Sequence, residues 1–279
     1  MESVDLDKMD EAAFDKWYAE QERERFRQIR AGEVEPERID LDVLEESINI
    51  DIIGQGEVVD DYWARGWTTG LAAASRSNCD ETGERCAKSF PTRYRLDDLE
   101  LSKSLRRVIK RSEGLARVIR PMRVTPAKEK LNAHFDADRF GYLSQRQLSN
   151  KYGNTKYYPS RLMEACVFQG DILLACSIFQ IGKRAAFGDT AMYRLGYESG
   201  SLGILTVLME MLYAKELGKK HYYLAGYSKY NPLYQYKTRF PGLELYDWDH
   251  ETWIDFEDER VEAMLDERLP LKPEVAGDI

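Results

Sequence analysis

Apolar positions recur along this chain at two spacings, and the change of spacing divides it. Within residues 9–29, Phe14, Trp17, Tyr18, Phe26 and Ile29 form a stripe at helical spacing in an acidic segment. Gly32 and Pro36 end it. Residues 39–53 predict a second short helix, stopped by Gly54-Gln55-Gly56. Residues 56–86 are rich in small side chains and show no clear period. Residues 90–99 predict a strand entering a turn, and 102–112 a helix. Residues 124–143 predict another helical stretch, opened by Thr125-Pro126. Residues 145–158 are polar and predict a loop.

Past residue 160 the pattern becomes that of a sheet. Apolar runs at 162–168 and 172–181, joined by Gln169-Gly170-Asp171, predict a β-hairpin. A further strand is expected at 185–195, a helix at 202–217, a buried strand at 221–225 and an acidic helix at 258–268. Strands interleaved with one long helix predict a mixed α/β domain. The expected division is an acidic helical arm at 1–61, a subdomain with a basic helix at 62–158, and the α/β domain at 159–279.

Charge changes this picture more than composition does. Hydrophobic residues make up 43% and charged ones 32%, as in an ordinary globular protein. No apolar run reaches the ~20 residues that span a bilayer, so no membrane partner is expected. The acidic N-terminus does not read as a signal peptide. Four cysteines are too few for a disulfide framework at this length, so a reduced cytoplasmic setting is expected. The net charge of -9 is unevenly spread. Residues 1–61 hold 7 Lys/Arg against 20 Asp/Glu, and 246–279 hold 3 against 12. Residues 101–130 reverse the sign, with 10 against 2. One basic segment in an acidic protein fits either a solvated helix face or a local contact with a polyanion.

Three segments carry candidate chemistry. In the predicted helix at 102–112, Lys103, Arg106, Arg107, Lys110 and Arg111 share a broad face opposite Leu105, Val108 and Ile109. Such a face suits phosphodiester contacts that position a nucleic acid without reading it. The turn Glu198-Ser-Gly-Ser201-Leu202-Gly203 precedes a helix, where free N–H groups hold phosphate or a developing oxyanion, or simply cap the helix. Residues 222–240 combine Tyr223, Tyr227, Tyr230, Tyr234 and Tyr236 with Lys229, Lys237 and Arg239. They read as an aromatic, basic wall for a large anion, or in part as core strand. Cys79 and Cys86 have six residues between them, wider than zinc-knuckle spacing, and no metal is expected. Cys166 and Cys176 read as small core residues. No G-x-S-x-G elbow or Walker loop is present.

Taken in order, these motifs resemble the aminoacyl-tRNA–protein transferases, the arginyl-transferases and their bacterial leucyl-transferring relatives. The resemblance runs through Arg65-Gly66-Trp67, the segment from Cys86 to Leu96, the basic helix, Ser201-Leu202-Gly203, and Tyr223-Leu224 with Pro232, Tyr236, Lys237 and Phe240. It covers about 65–250. It implies a mixed sheet flanked by helices, like that of the GCN5-related acetyltransferases, behind a mostly helical N-terminal region. It implies transfer of an aminoacyl group from charged tRNA to the amine of a protein N-terminus or peptide. Aminoacyl-tRNA is then the co-substrate, and no other cofactor is implied.

On this resemblance, Lys103, Arg106, Arg107, Lys110 and Arg111 meet tRNA phosphates. Ser201, Leu202 and Gly203 present backbone donors near the ester. Tyr227, Tyr236, Lys237 and Arg239 line the aminoacyl-adenosine pocket, with Tyr227 and Lys237 catalytic. Glu198 binds the incoming amine or takes its proton. The chain departs from the family at residues 192–200, MYRLGYESG, where an Asp-Pro segment is absent. Asn231 and Tyr234 replace a cysteine and a methionine. Two other readings stand beside this one: an acyl-CoA-dependent N-acyltransferase, and a catalytically silent tRNA- or protein-binding module.

Overall fold

A computed structural model of the chain describes residues 45–49, 57–70, 73–82, 85–140, 147–153, 158, 160–195, 197, 201–266 and 268–271. The stripe at 9–29 and Glu198 lie outside the described residues. The chain runs β1 (Glu45–Asn49), α1 (Glu57–Ala64), β2 (Thr68–Thr69), β3 (Ala73–Ser77), β4 (Cys79–Thr82), β5 (Arg85–Lys88) and β6 (Phe90–Arg95). It continues through α2 (Lys103–Arg111), β7 (Ala116–Pro121), α3 (Pro126–Phe140) and α4 (Leu148–Tyr152). Then come β8 (Arg161–Gln169), β9 (Ile172–Ile181), β10 (Ala185–Tyr193), α5 (Leu202–Glu216) and β11 (His221–Tyr227). A 3-10 helix (Pro232–Arg239), β12 (Leu243–Asp247), β13 (Thr252–Asp255), α6 (Arg260–Asp266) and β14 (Arg268–Leu271) complete it.

Eight strands form one mixed sheet in the order β13-β12-β6-β11-β10-β9-β8-β7. Two three-stranded sheets, β1-β3-β2 and β14-β5-β4, stand beside it. The large sheet takes β6 and β7 from residues 62–158 and the rest from 159–279. No helix among the described residues is long and apolar enough to cross a membrane.

Alternation along the strands gives the large sheet two covered faces. Ala186, Tyr222 and Leu224 pack with Leu202, Leu205 and Leu208 of α5 and with Leu105 and Val108 of α2. Their chain neighbours Ala185, Phe187 and Tyr223 turn the other way, onto Val59 and Trp63 of α1. On that side too, Leu131 and Phe135 of α3 and Leu148 and Tyr152 of α4 cover Cys166, Cys176 and Ile178. Asp60 of α1 accepts the Arg184 N–H at 2.7 Å and the Ala185 N–H at 3.2 Å, which fixes the start of β10.

Several expectations need correction. Within 39–53, the described residues Glu45–Asn49 form a strand paired with β3, not a helix. Within 145–158, the polar stretch holds α4, because Leu148 and Tyr152 bury one turn apart. The Glu129 carboxylate caps that turn by accepting the Leu148 and Ser149 N–H groups at 2.9 and 2.7 Å. The last helix spans only Arg260–Asp266, and Arg268 already belongs to β14. Cys79 is disulfide-bonded, which the cysteine count did not suggest. Cys166 and Cys176 are free, buried and opposite each other on β8 and β9.

One ionic cluster is built on a buried pair and reaches the surface through Arg120. Glu164 on β8 accepts hydrogen bonds from Lys128 of α3, from Arg120 at 2.6 Å and from the Arg123 N–H at 3.0 Å. Glu164 and Lys128 are both buried. Burial pushes the Glu164 carboxyl up, but Lys128, the Arg123 N–H and Arg120 together hold it below its ordinary value. Cys166 and Cys176 come close to this carboxylate, yet two cations already occupy it, so a metal ion is disfavoured there. Glu164→Gln should cost about 3 kcal/mol in urea unfolding, because Lys128 would be left buried without a counter-charge. A loss under about 1 kcal/mol would show that the pair is not what ties α3 to the sheet.

Candidate active site

The sheet opens between β10 and β11. β10 and β11 run parallel but pair only from Ala185 with His221 to Gly188 with Leu224. Beyond that point β10 stays with β9, its register shifted between Gly188 and Thr190, so Asp189 is the extra residue of a bulge. β11 stays with β6, its register shifted between Tyr223 and Gly226. Two parallel strands that part leave a crevice at their carboxyl ends, where α/β sheets commonly bind ligands. Gly188 marks the fork. A Cβ there would lie 2.2 Å from the Tyr222 hydroxyl and 2.8 Å from Leu224 Cδ1.

Parting leaves backbone carbonyls to be satisfied by other donors. The buried Lys237 ammonium donates to the carbonyls of Leu224 at 3.2 Å, Ala225 at 2.9 Å and Gly226. The Thr92 hydroxyl, from β6, reaches the Leu224 and Ala225 carbonyls. Tyr94 in turn donates to the Lys237 carbonyl at 3.0 Å. Lys237 is therefore not the open pocket cation that the sequence suggested. It is 2% exposed and is committed to the backbone of β11.

The other sequence-derived residues divide. Tyr227 is buried, its hydroxyl 3.2 Å from Gln235 Oε1 and its ring edge-on to Phe256, so it is a core side chain whose tip reaches the 3-10 helix. Burial raises its pKa. Tyr236 is half-buried against the main core, and Arg239 is exposed. Tyr223 belongs to the core on the α1 face. Lys229 does not wait for phosphate, because Glu262 and Asp266 of α6 hold it. Lys103, Arg106, Arg107, Lys110 and Arg111 all stand exposed on α2, with Leu105 and Val108 buried beneath, as their spacing predicts.

α5 begins beside the crevice. Ser201 has φ 96°, a left-handed conformation, and its carbonyl accepts the Leu205 N–H at 2.8 Å. Its side chain caps nothing, so the N–H groups that open the helix at Leu202 and Gly203 have no intrahelical partner. The Tyr193 ring, at the end of β10, lies against the Cα of Gly203. A Cβ on Gly203 would stand 2.7 Å from that ring.

Two carboxyls near the fork escaped the sequence reading. Glu210 of α5 is buried and accepts the Tyr222 hydroxyl. Burial pushes its pKa up to about 8, so it is mostly protonated at pH 7. Asp189 accepts Lys151 and Thr190, and the Thr190 hydroxyl lies 2.7 Å from the Tyr152 hydroxyl. Each had a visible signal: an acid between Met209 and Met211 in the middle of an apolar run, and Gly-Asp inside a strand.

Residues 128–247 match the family model described as the C terminus of arginine-tRNA-protein transferase. Aspartate/glutamate leucyltransferases from two strains of Leptospira interrogans are 22% identical over 180 residues, covering 62% of this chain and 70% of theirs. Among solved structures, FemX matches 71% of this chain and 67% of its own at 9% identity and TM-score 0.40. The C-terminal domain of a putative lysylphosphatidylglycerol synthetase from Agrobacterium fabrum matches at 12% identity and TM-score 0.37. This chain spans 46% of that one. A GCN5-related N-acetyltransferase from Kribbella flavida matches at 13% identity and TM-score 0.32, over 50% of this chain and 48% of its own.

Glu210 generates a pH dependence with a definite sign. Its folded pKa of about 8 lies above its ordinary 4.5, so the native state keeps a proton that the unfolded chain loses. Stability from this group is fully present below 4.5 and falls as pH rises toward about 8. The fall is at most about 1.4 kcal/mol per pH unit. Glu210→Gln should flatten that slope in urea titrations from pH 5 to 8. The same slope in both proteins would remove Glu210 as its source.

Proposed function

From the match of residues 128–247 to the family model of the arginine-tRNA-protein transferase C terminus, we propose that this protein moves an amino acid from charged tRNA to a primary amine of a protein N-terminus or peptide. The observation that carries this reading is the crevice where β10 and β11 part, with the uncapped start of α5 beside it. Both lie inside the matched segment.

The ester of a charged tRNA is already activated. Its attack by an amine needs positioning and charge stabilisation more than a covalent nucleophile. The N–H groups of Leu202 and Gly203, which have no intrahelical partner, would receive the carbonyl oxygen as it becomes an oxyanion. α2 packs on α5 through Leu105 and Val108 and turns its five cations outward. tRNA phosphates on that face would bring a 3′ end toward the start of α5. Tyr236 and Arg239, from the 3-10 helix that follows β11, would meet the terminal adenosine. The roles assigned to Lys237 and Tyr227 become structural, since each is buried with its polar atom engaged. The reaction would run in the cytoplasm, where charged tRNA is made, and needs no cofactor beyond it.

Incubation with a pool of labelled aminoacyl-tRNAs and candidate acceptor peptides should move one label. If tRNA binds with a steep salt slope but no label moves from any charged tRNA, the protein is a binding module. Acetyl transfer from acetyl-CoA in the same assay would support the acyl-CoA reading instead. The double variant Arg106→Glu, Arg107→Glu should lower the slope of log K against log salt by about two. An unchanged slope would remove α2 from the tRNA interface.

A further inference from the structure

Asp189 is the residue at which the two faces of the sheet communicate. Pairing of β10 with β11 ends at Gly188, and Asp189 follows in the bulge. Its side chain is only 9% exposed. One oxygen, Oδ1, is taken by Lys151 of α4 and by Thr190. The other, Oδ2, is buried and makes no hydrogen bond of ordinary length among the described residues, although the Tyr152 hydroxyl lies near enough to the carboxylate to interact with it. A buried carboxylate oxygen left bare costs of order 1–3 kcal/mol, so it calls for an explanation. Its field reaches both sides: it raises the pKa of Glu210 on α5 and, behind burial, that of Tyr152 on α4.

We propose that Asp189 Oδ2 is the binding point for the primary amine of the acceptor, which reaches the crevice from the α4 side while the ester lies at the start of α5. This rests on the transfer reading above. A carboxylate oxygen suits an amine because it can only accept, and an amine must donate an N–H to it. Lys151 already balances the charge of Asp189. The amine therefore need not be held as an ammonium, which has no lone pair to attack with. The bulge frees this side chain from the strict alternation of the strand, and it turns to Lys151 on the α4 face at the point where the two strands part. The carboxylate that the sequence sought at Glu198, in the shortened segment before α5, has its described counterpart nine residues earlier.

The test separates amine binding from transfer. Wild type and Asp189→Asn are titrated with a peptide bearing a free N-terminal Asp, and with its N-acetylated form, by NMR in the presence of an unreactive amide-linked aminoacyl-tRNA. Wild type should prefer the free amine roughly 10- to 100-fold, and the variant should lose that preference while binding the tRNA analogue as before. In transfer assays the variant's KM for the peptide should rise while kcat changes little. Equal preference in both proteins would overturn the proposal. So would an effect confined to the tRNA analogue against its N-acetylated form, since the oxygen would then hold the amino acid being donated. Asp189→Glu, which keeps a carboxylate, should restore part of the preference; if Asp189→Asn merely unfolds, failure of this second variant to prefer the free amine at its own folding temperature also overturns it. Amine preference in wild type without transfer from any charged tRNA would retain the site and reject the transfer reading.

Discussion

The separation of β10 from β11 governs the rest of this molecule. Two parallel strands pair over four residues each and then take different partners. Each strand must then satisfy backbone groups that a continuing ladder would have satisfied. The protein solves this with side chains. The Lys237 ammonium stands on three successive carbonyls of β11, with the Thr92 hydroxyl beside it. A lysine is well suited to this, with three donors on one flexible stem. The crevice is thus a built feature rather than a frayed end.

The layers follow from the same constraint. Because the sheet must be covered on both faces to hold a gap in its middle, α5 and α2 close one side and α1, α3 and α4 the other. Polar groups beside the parting are each tied to a helix: Tyr222 of β11 through Glu210 to α5, and Asp189 of β10 through Lys151 to α4. The buried Glu164–Lys128 pair holds α3 against β8 in the same way. Helices that anchor by charge in the interior are sensitive to loss of either partner, which fixes their position against the sheet.

Much of this was legible in the sequence, for definite reasons. The hairpin of β8 and β9, the helix α2 with its cationic face, and α5 rest on periodicity and local turn chemistry. These are local signals, and the structure has each of them at nearly the expected bounds. β1 and α4 were misread because pairing with β3 and burial of Leu148 and Tyr152 override weak local preference. The roles of Lys237 and Lys229 were misread for a different reason. Their partners, the carbonyls of β11 and the acids of α6, come from elsewhere in the chain, and a basic residue in an aromatic segment looks free until those partners are known. Asp189 shows the reverse, since what sets it apart is one carboxylate oxygen without a hydrogen bond of ordinary length among the described residues.

The central claim is that chemistry occurs at the fork, with the ester at the start of α5. Hydrogen exchange with an unreactive aminoacyl-adenosine, the 3′ end of a charged tRNA with its ester replaced by an amide, tests this most directly. The account predicts slowed exchange at the N–H groups of Leu202, Gly203 and Ile204 and along residues 224–227 of β11, with the rest of the large sheet unaffected. Protection that appears only on α2, or on none of these groups while the analogue is bound, would contradict it.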